Sequence, residues 1–233
     1  MRLSRLTKIP REAPPKVAPF RNRLIVMIKT PVAGRVKTRL AREIGIPQAT
    51  SFYRHTTTAV LSRLRSAREW QIVLSVTPDR DARSPARTNG LGIPQGQGDL
   101  GERMQRAFRR LPPGPVVLIG SDIPAIRSHH IRAAFKALGS ADAVFGPATD
   151  GGYWLVGLRR RPKLLSPFQD VRWSSEHALA DTLSNLNGMH VSRVATLQDV
   201  DHATDLATTR GWLGRRVLPW WVRDRPLYPQ TCE

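Results

Sequence analysis

LIVMIKTPVAGRVKTRL, Leu24 to Leu40, decides how this chain folds. LIVMI, Leu24–Ile28, is an unbroken apolar run of strand length, the pattern of a strand covered on both faces. Pro31 and Gly34 break the run into a loop, and helical spacing resumes over Lys37–Ile44. A buried strand that feeds a loop and then a helix opens a βα unit, so a parallel sheet is expected.

The pattern continues outward from that stretch. Pro47–Arg68 reads as a helix with Pro47 in its first turn. Gln71–Val76 is a second strand, and Thr77–Gln97, rich in Pro, Gly, Asp and Arg, is mostly loop. Asp99 is placed to cap a helix that runs through Arg110 and ends at PPGP. Val116–Gly120 is a central strand, Ser128–Leu138 a helix and Ala143–Phe145 a short strand. Tyr153–Leu158 follows as a strand and Ser175–Leu186 as a helix capped by Ser174 or Ser175; then come a strand over His190–Val194 and a helix over Ala203–Trp212. Strands alternating with helices predict an α/β domain over residues 23–212, a mostly parallel sheet with helices on both faces. Residues 1–22 form a basic, proline-rich lead-in, and 213–233 an irregular tail with Trp220 and Trp221. No internal repeat is present.

With 233 residues and 40% hydrophobic content, the chain is large enough to bury a core as one domain. Its longest apolar runs are far short of the roughly 20 residues that cross a bilayer, so no transmembrane segment is expected. The N-terminus lacks the apolar centre of a secretory signal. The lone Cys232 excludes an intramolecular disulfide and a cysteine metal cluster, which points to the cytoplasm. A net charge of +19 gives any surface some attraction for polyphosphate. The basic residues are mostly arginine and spread along the chain, with no zinc-finger spacing, aromatic RNA-binding signature or helix-turn-helix, so specific nucleic-acid binding is not expected. The six histidines show no metal-ligand spacing, and His129 and His130 read as a helix face.

In open sheets of this kind, ligands bind beyond the carboxyl ends of the strands. After the first strand come Lys29, Pro31, Gly34, Arg35, Lys37 and Arg39, whose cations and helix-start N–H groups suit a phosphate, or form an ordinary solvated loop. The loop lacks the second glycine and the Gly-Lys-Thr order of a Walker A motif. GSDIP after the central strand brings Ser121 and Asp122; the aspartate is either a divalent-metal ligand or a turn cap. LQDVDHATDL carries Asp199, Asp201 and Asp205, of which Asp201 is either a ligand or a helix cap. GPATDGGYWLVG, Gly146–Gly157, puts Asp150 beside Gly151 and Gly152, which suits an acceptor pocket or a glycine bulge. One basic and three acidic sites fall at the same predicted edge, as phosphoryl or glycosyl transfer from a nucleotide requires.

These residues resemble the bacterial DUF2064 family, glycosyltransferase-like proteins of the GT-A, or nucleotide-diphospho-sugar transferase, superfamily. The resemblance runs from about Leu24 to Ala207 and rests on Lys29–Leu40, Gln97–Met104, Ile119–Pro124, Gly146–Leu158 and Asp199–Leu206. It implies a Rossmann-like GT-A fold and a metal-dependent transferase with a nucleotide-activated donor. The most direct implication is glycosyl transfer from a nucleotide-diphospho-sugar to a small-molecule acceptor; the alternative is nucleotidyl transfer from a triphosphate with release of pyrophosphate. A non-catalytic nucleotide- or polyanion-binding module is the rival from another class. By the resemblance, Lys29, Pro31, Gly34, Arg35, Lys37, Arg39 and Ser121 hold phosphates, and Gln95, Gln97, Gly98 and Asp99 lie near the base. Asp122 and Asp201 share Mg²⁺ or Mn²⁺, while Asp150, Gly151, Gly152 and Tyr153 face the acceptor, with Asp122 and Asp150 as the catalytic pair. Two positions depart from the usual pattern: Asp-Thr-Pro reads Asp201-His202-Ala203, and Trp-Gly-Thr reads Trp173-Ser174-Ser175.

Overall fold

Leu24 and Val26 of β1 (Arg23–Lys29) pack on one side of the sheet and Ile25 on the other, and all three are fully buried. The period-two geometry of a strand thus uses both sides of the apolar run for core. The computed structural model describes residues 22–83, 91–160 and 164–209. The expected lead-in, the tail with Trp220, Trp221 and Cys232, and the end of the last expected helix lie outside those residues, apart from Asn22.

The chain continues through α1 (Thr38–Ile44), α2 (Ile46–Arg65), β2 (Gln71–Thr77), a 3₁₀ turn (Asp79–Arg83) and β3 (Gly92–Pro94). Then come α3 (Leu100–Arg110), β4 (Val116–Gly120), α4 (Ser128–Ala137), β5 (Ala143–Pro147) and β6 (Tyr153–Leu158). α5 (Ala178–Ser184), β7 (Val191–Arg193) and α6 (Ala203–Thr209) complete the elements of the described residues. The sheet has seven strands in the order β3-β2-β1-β4-β6-β5-β7. Every pairing is parallel except the two made by β6, which runs against β4 and β5. This is the expected α/β architecture with a mostly parallel sheet.

Val60, Leu61 and Leu64 of α2 join Ile131 and Ala134 of α4 over the face that carries Leu24 and Val26. Met104, Ala107 and Phe108 of α3 cover the opposite face, against Ile25, Val73 and Leu118. A third cluster pins α1 to α6 through Leu40, Ile44, Val200 and Leu206, with Phe52 of α2 beneath. Each fully buried aliphatic side chain stabilises the fold by about 1.5–3 kcal/mol.

Two expectations change. The loop after β2 contains a strand, β3, that pairs with Leu74–Val76. The helix expected over Ser175–Leu186 begins only at Ala178, because Ser175 closes a turn: its Oγ donates to the Arg172 carbonyl (2.6 Å) and accepts from His177 N–H (3.2 Å).

The amino edge of the sheet is closed by two buried arginines. Arg23 Nη1 donates to the Pro112 and Pro113 carbonyls (3.1 and 3.3 Å), and Arg160 donates to Pro112 and Leu111 (both 2.6 Å). Both guanidiniums thus bind the carbonyls of Leu111–Pro113, the extended segment that follows α3. Burial, then the neighbouring charge of Arg23, pushes Arg160 down to about 10.

Candidate functional site

β1 lies where the strand order reverses: β2 and β3 extend to one side of it, β4 and the rest to the other. A cleft of about 740 Å³ opens at the carboxyl ends of β1 and β4, the position where such a reversal leaves room for a ligand. Lys29, Arg35, Lys37, Arg39, Gln95, Ser121, Asp122, Asp150, Gly152, Tyr153 and Asp201 line it. Pro31, Gly34, Gln97, Gly98, Asp99 and Gly151 do not.

Lys37 is the centre of the charged half. It precedes α1 in the left-handed conformation, φ 44 and ψ 52, which is uncommon for a residue with a Cβ. Its ammonium lies 2.9 Å from Asp122 Oδ2, 2.8 and 2.9 Å from the two oxygens of Asp199, and 3.1 Å from Asp201 Oδ1. Only 4% of the Lys37 side chain is exposed. Burial alone lowers a lysine, but the three carboxylates outweigh it and hold Lys37 above its ordinary value. Asp199 is pushed up to about 7 by burial and by the charge of Asp122, against the pull of Lys37. Burial also acts to raise Asp201, but Lys37 and Arg39, the latter 3.0 Å away, bring it below its usual range.

The family resemblance assigns Lys37 to a phosphate and Asp122 with Asp201 to a metal. In the structure these residues meet each other, and Asp199 joins them. Carboxylate oxygens are suitable donors for a hard divalent cation. Among the described residues, however, no group of three or more acidic, imidazole or thiol side chains is placed to hold a metal as it stands. The space between the carboxylates is filled by the lysine. Asp201 is not the cap of α6: Asp205 accepts from the Asp201 and His202 N–H groups (3.0 and 2.8 Å), and Glu43 accepts from Ala203 (2.8 Å).

Lys29 and Arg35 have no side-chain hydrogen bond or ion pair among the described residues and both line the cleft. Tyr53 of α2 holds the floor: its hydroxyl accepts from Lys29 N–H (2.9 Å) and lies 3.2 Å from Ser121 Oγ. Burial raises the Tyr53 phenol above its ordinary value, so it stays protonated at neutral pH. Sequence reasoning missed Tyr53, because a tyrosine on a buried helical stripe looks like core.

The segment expected near the base is tied down elsewhere. The Gln95 amide donates to the Ser75 and Ile28 carbonyls (2.9 and 3.3 Å), and Asp99 forms a capping box with Glu102 at the start of α3. Arg106 donates to the Gln95 and Gln97 carbonyls, and Arg103 to that of Gly98. A Cβ at Gly98 would come within 1.9 Å of Glu102, so glycine permits this close approach to α3.

The other wall is the β5–β6 turn with the loop before α5. Asp150 Oδ1 accepts from Gly152 N–H (2.9 Å), and its carboxylate is exposed. Gly151 has φ 83, and a Cβ there would lie 2.2 Å from the Glu176 carbonyl oxygen. Tyr153 meets Trp173 edge to face at 6.4 Å, and both line the cleft with Ser174, Ser175 and Glu176. Ser174 itself has φ 60, where the family pattern has glycine.

A family model described as an uncharacterized protein conserved in bacteria, DUF2064, matches residues 60–175. A solved structure from Desulfovibrio desulfuricans G20, provisionally named a nucleotide-diphospho-sugar transferase, is 30% identical. The likeness covers 82% of this chain and 87% of that one, with a TM-score of 0.74. The chain belongs to the DUF2064 family. More distant members of the fold include 4-diphosphocytidyl-2C-methyl-D-erythritol synthase from Anaerococcus prevotii, 11% identical over 84% of this chain and 99% of that one, with a TM-score of 0.52. A CMP:2-keto-3-deoxy-manno-octonic acid synthetase complexed with CTP is 11% identical over 82% and 97%, with a TM-score of 0.50. At that identity these two share the fold alone. No curated protein matches the chain. The DUF2064 match reaches Asp122, Asp150 and Trp173 but not the Lys29–Leu40 loop or Asp199–Leu206, the two segments that meet around Lys37.

Proposed function

We propose that this DUF2064 protein is a transferase that takes a nucleotide-activated donor, with glycosyl transfer from a nucleotide-diphospho-sugar as the leading reaction. The observation that carries the reading is the division of one cleft into a half with free cations and a carboxylate cluster, and a half walled by Asp150, Tyr153 and Trp173. The provisional name of the Desulfovibrio relative supports the donor class.

In this reading Lys29 and Arg35 attract the donor's phosphates and offset the charge that develops as the nucleoside diphosphate leaves. Asp150 keeps one carboxylate oxygen on Gly152 and turns the other to the acceptor, whose hydroxyl proton it orients or removes as the oxygen attacks the anomeric carbon. Asp122 and Asp201 are the residues that would hold Mg²⁺ or Mn²⁺, whose contribution when bound is to neutralise diphosphate oxygens. Nucleotidyl transfer is the second reading; one protein of the same fold is solved with a triphosphate, CTP. It uses the same cation loop to hold a triphosphate.

A thermal-shift panel of nucleoside triphosphates, diphosphates and nucleotide-sugars, each with and without Mg²⁺ or Mn²⁺, tests the proposal. A ligand at about a hundred times its Kd adds about 2.7 kcal/mol, roughly 5–10 °C for a chain of this size. A shift with one nucleotide-sugar is the expected result. A shift with triphosphate alone selects nucleotidyl transfer, and no shift with any of them removes both.

A further inference from the structure

The cation that the carboxylates hold in this structure is the protein's own. Lys37 Nζ is within 3.1 Å of all three aspartates, and its side chain is almost wholly enclosed. Divalent ions need carboxylate oxygens at about 2.0–2.6 Å, so an ion bound to these three residues would occupy the position of the ammonium. The two cations exclude each other.

We propose that Lys37 is a tethered occupant of this cage, which competes with a divalent ion for Asp122, Asp199 and Asp201. The free protein therefore binds the ion weakly, and binds it well once Lys37 has been drawn out. Only the identity of what draws it out, a donor's diphosphate, rests on the transferase reading above.

Charge balance favours the exchange. Three carboxylates face one enclosed ammonium and one exposed guanidinium, Arg39, so a doubly charged ion offsets the cluster better than Lys37 does. The way out leads into the cleft that Lys37 itself lines. Lys37 shares its loop with Arg35, and Arg35 and Lys29 line the same cleft without partners of their own among the described residues. A diphosphate held by those two gains a third cation if the flexible four-carbon stem of Lys37 swings toward it. Phosphate and metal then help each other bind, each by removing what opposes the other.

The test needs no nucleotide. Mn²⁺ is titrated into the wild-type chain and into Lys37→Met, with free ion read by electron paramagnetic resonance. Removing the competing charge is expected to tighten Mn²⁺ binding at least about tenfold. Equal or weaker binding by Lys37→Met overturns the proposal. Should that variant fail to fold, acetylation of wild-type lysines followed by mass spectrometry decides. Lys37 is expected to label faster at saturating Mn²⁺ than in chelator, relative to the exposed Lys136. An unchanged ratio overturns it. If the cage passes and the nucleotide panel shows no shift, the transferase reading alone falls; the opposite pair of results removes the exchange and leaves the transferase standing.

Discussion

Asp122, Asp199 and Asp201 look alike on paper, and only distance in the folded chain sorts them. Asp199 and Asp205 flank Asp201 in one short acidic segment, and no local rule says which side chain turns toward a lysine 162 positions earlier. Asp122 was legible because it follows a strand that is apolar throughout. Asp122→Asn is expected to abolish metal-dependent nucleotide binding, read as loss of the thermal shift; a retained shift removes Asp122 from the site. His130 gives a test away from the cleft. Its Nδ1 accepts from Arg127 N–H (3.1 Å), which requires the neutral ring, and burial, then the charges of His129 and Arg127, hold it down to about 4. The unfolded chain binds that proton near pH 6.5, more readily than the folded one. The contribution of this contact is therefore complete above 6.5 and is lost as pH falls toward 4. Urea midpoints should fall over that window in the wild type and less in His130→Gln, whose amide oxygen can take the same bond without titrating.

Elements were readable where one local signal dominated. β1 and β4 are continuous apolar runs, and Asp99 marks the start of α3 as a cap, which in the structure is one half of a capping box with Glu102. Asp99→Ala should cost about 1 kcal/mol in urea unfolding. β3 was hidden because Gly92 and Pro94 punctuate loops; only its pairing with β2 makes it a strand. The turn before α5 was hidden because Ser174 and Ser175 look like helix caps, whereas Ser174 takes a left-handed backbone and Ser175 bonds to Arg172. The β5–β6 turn depends on glycine in a way that can be measured. Gly151→Ala should destabilise by at least about 1–2 kcal/mol from its positive φ alone, with the clash against the Glu176 carbonyl adding to that. A loss below 0.5 kcal/mol, within the usual scatter of surface substitutions, would mean the turn relaxes freely.

Across the whole molecule, the two buried arginines and the cleft sit at opposite edges of one sheet. Arg23 and Arg160 hold the Leu111–Pro113 segment after α3 at the amino edge, far along β1 and β4 from the cleft. Arg160→Met leaves the Leu111 carbonyl without its donor and should cost about 1–3 kcal/mol in urea unfolding, with nucleotide shifts unchanged. The reversal of β6 shapes the cleft edge. Because this strand alone among the described ones runs backward, the chain turns at the cleft between β5 and β6, departs to the far edge at Arg160, and returns to line the cleft again at Trp173–Glu176. One wall is thus contributed by a single contiguous stretch, Ala148 to Ala178, while the charged half is assembled from three distant ones. Such an arrangement lets heredity edit the two halves separately: a single recombined or rewritten segment replaces that wall wholesale and leaves the lysine and its three aspartates as they were.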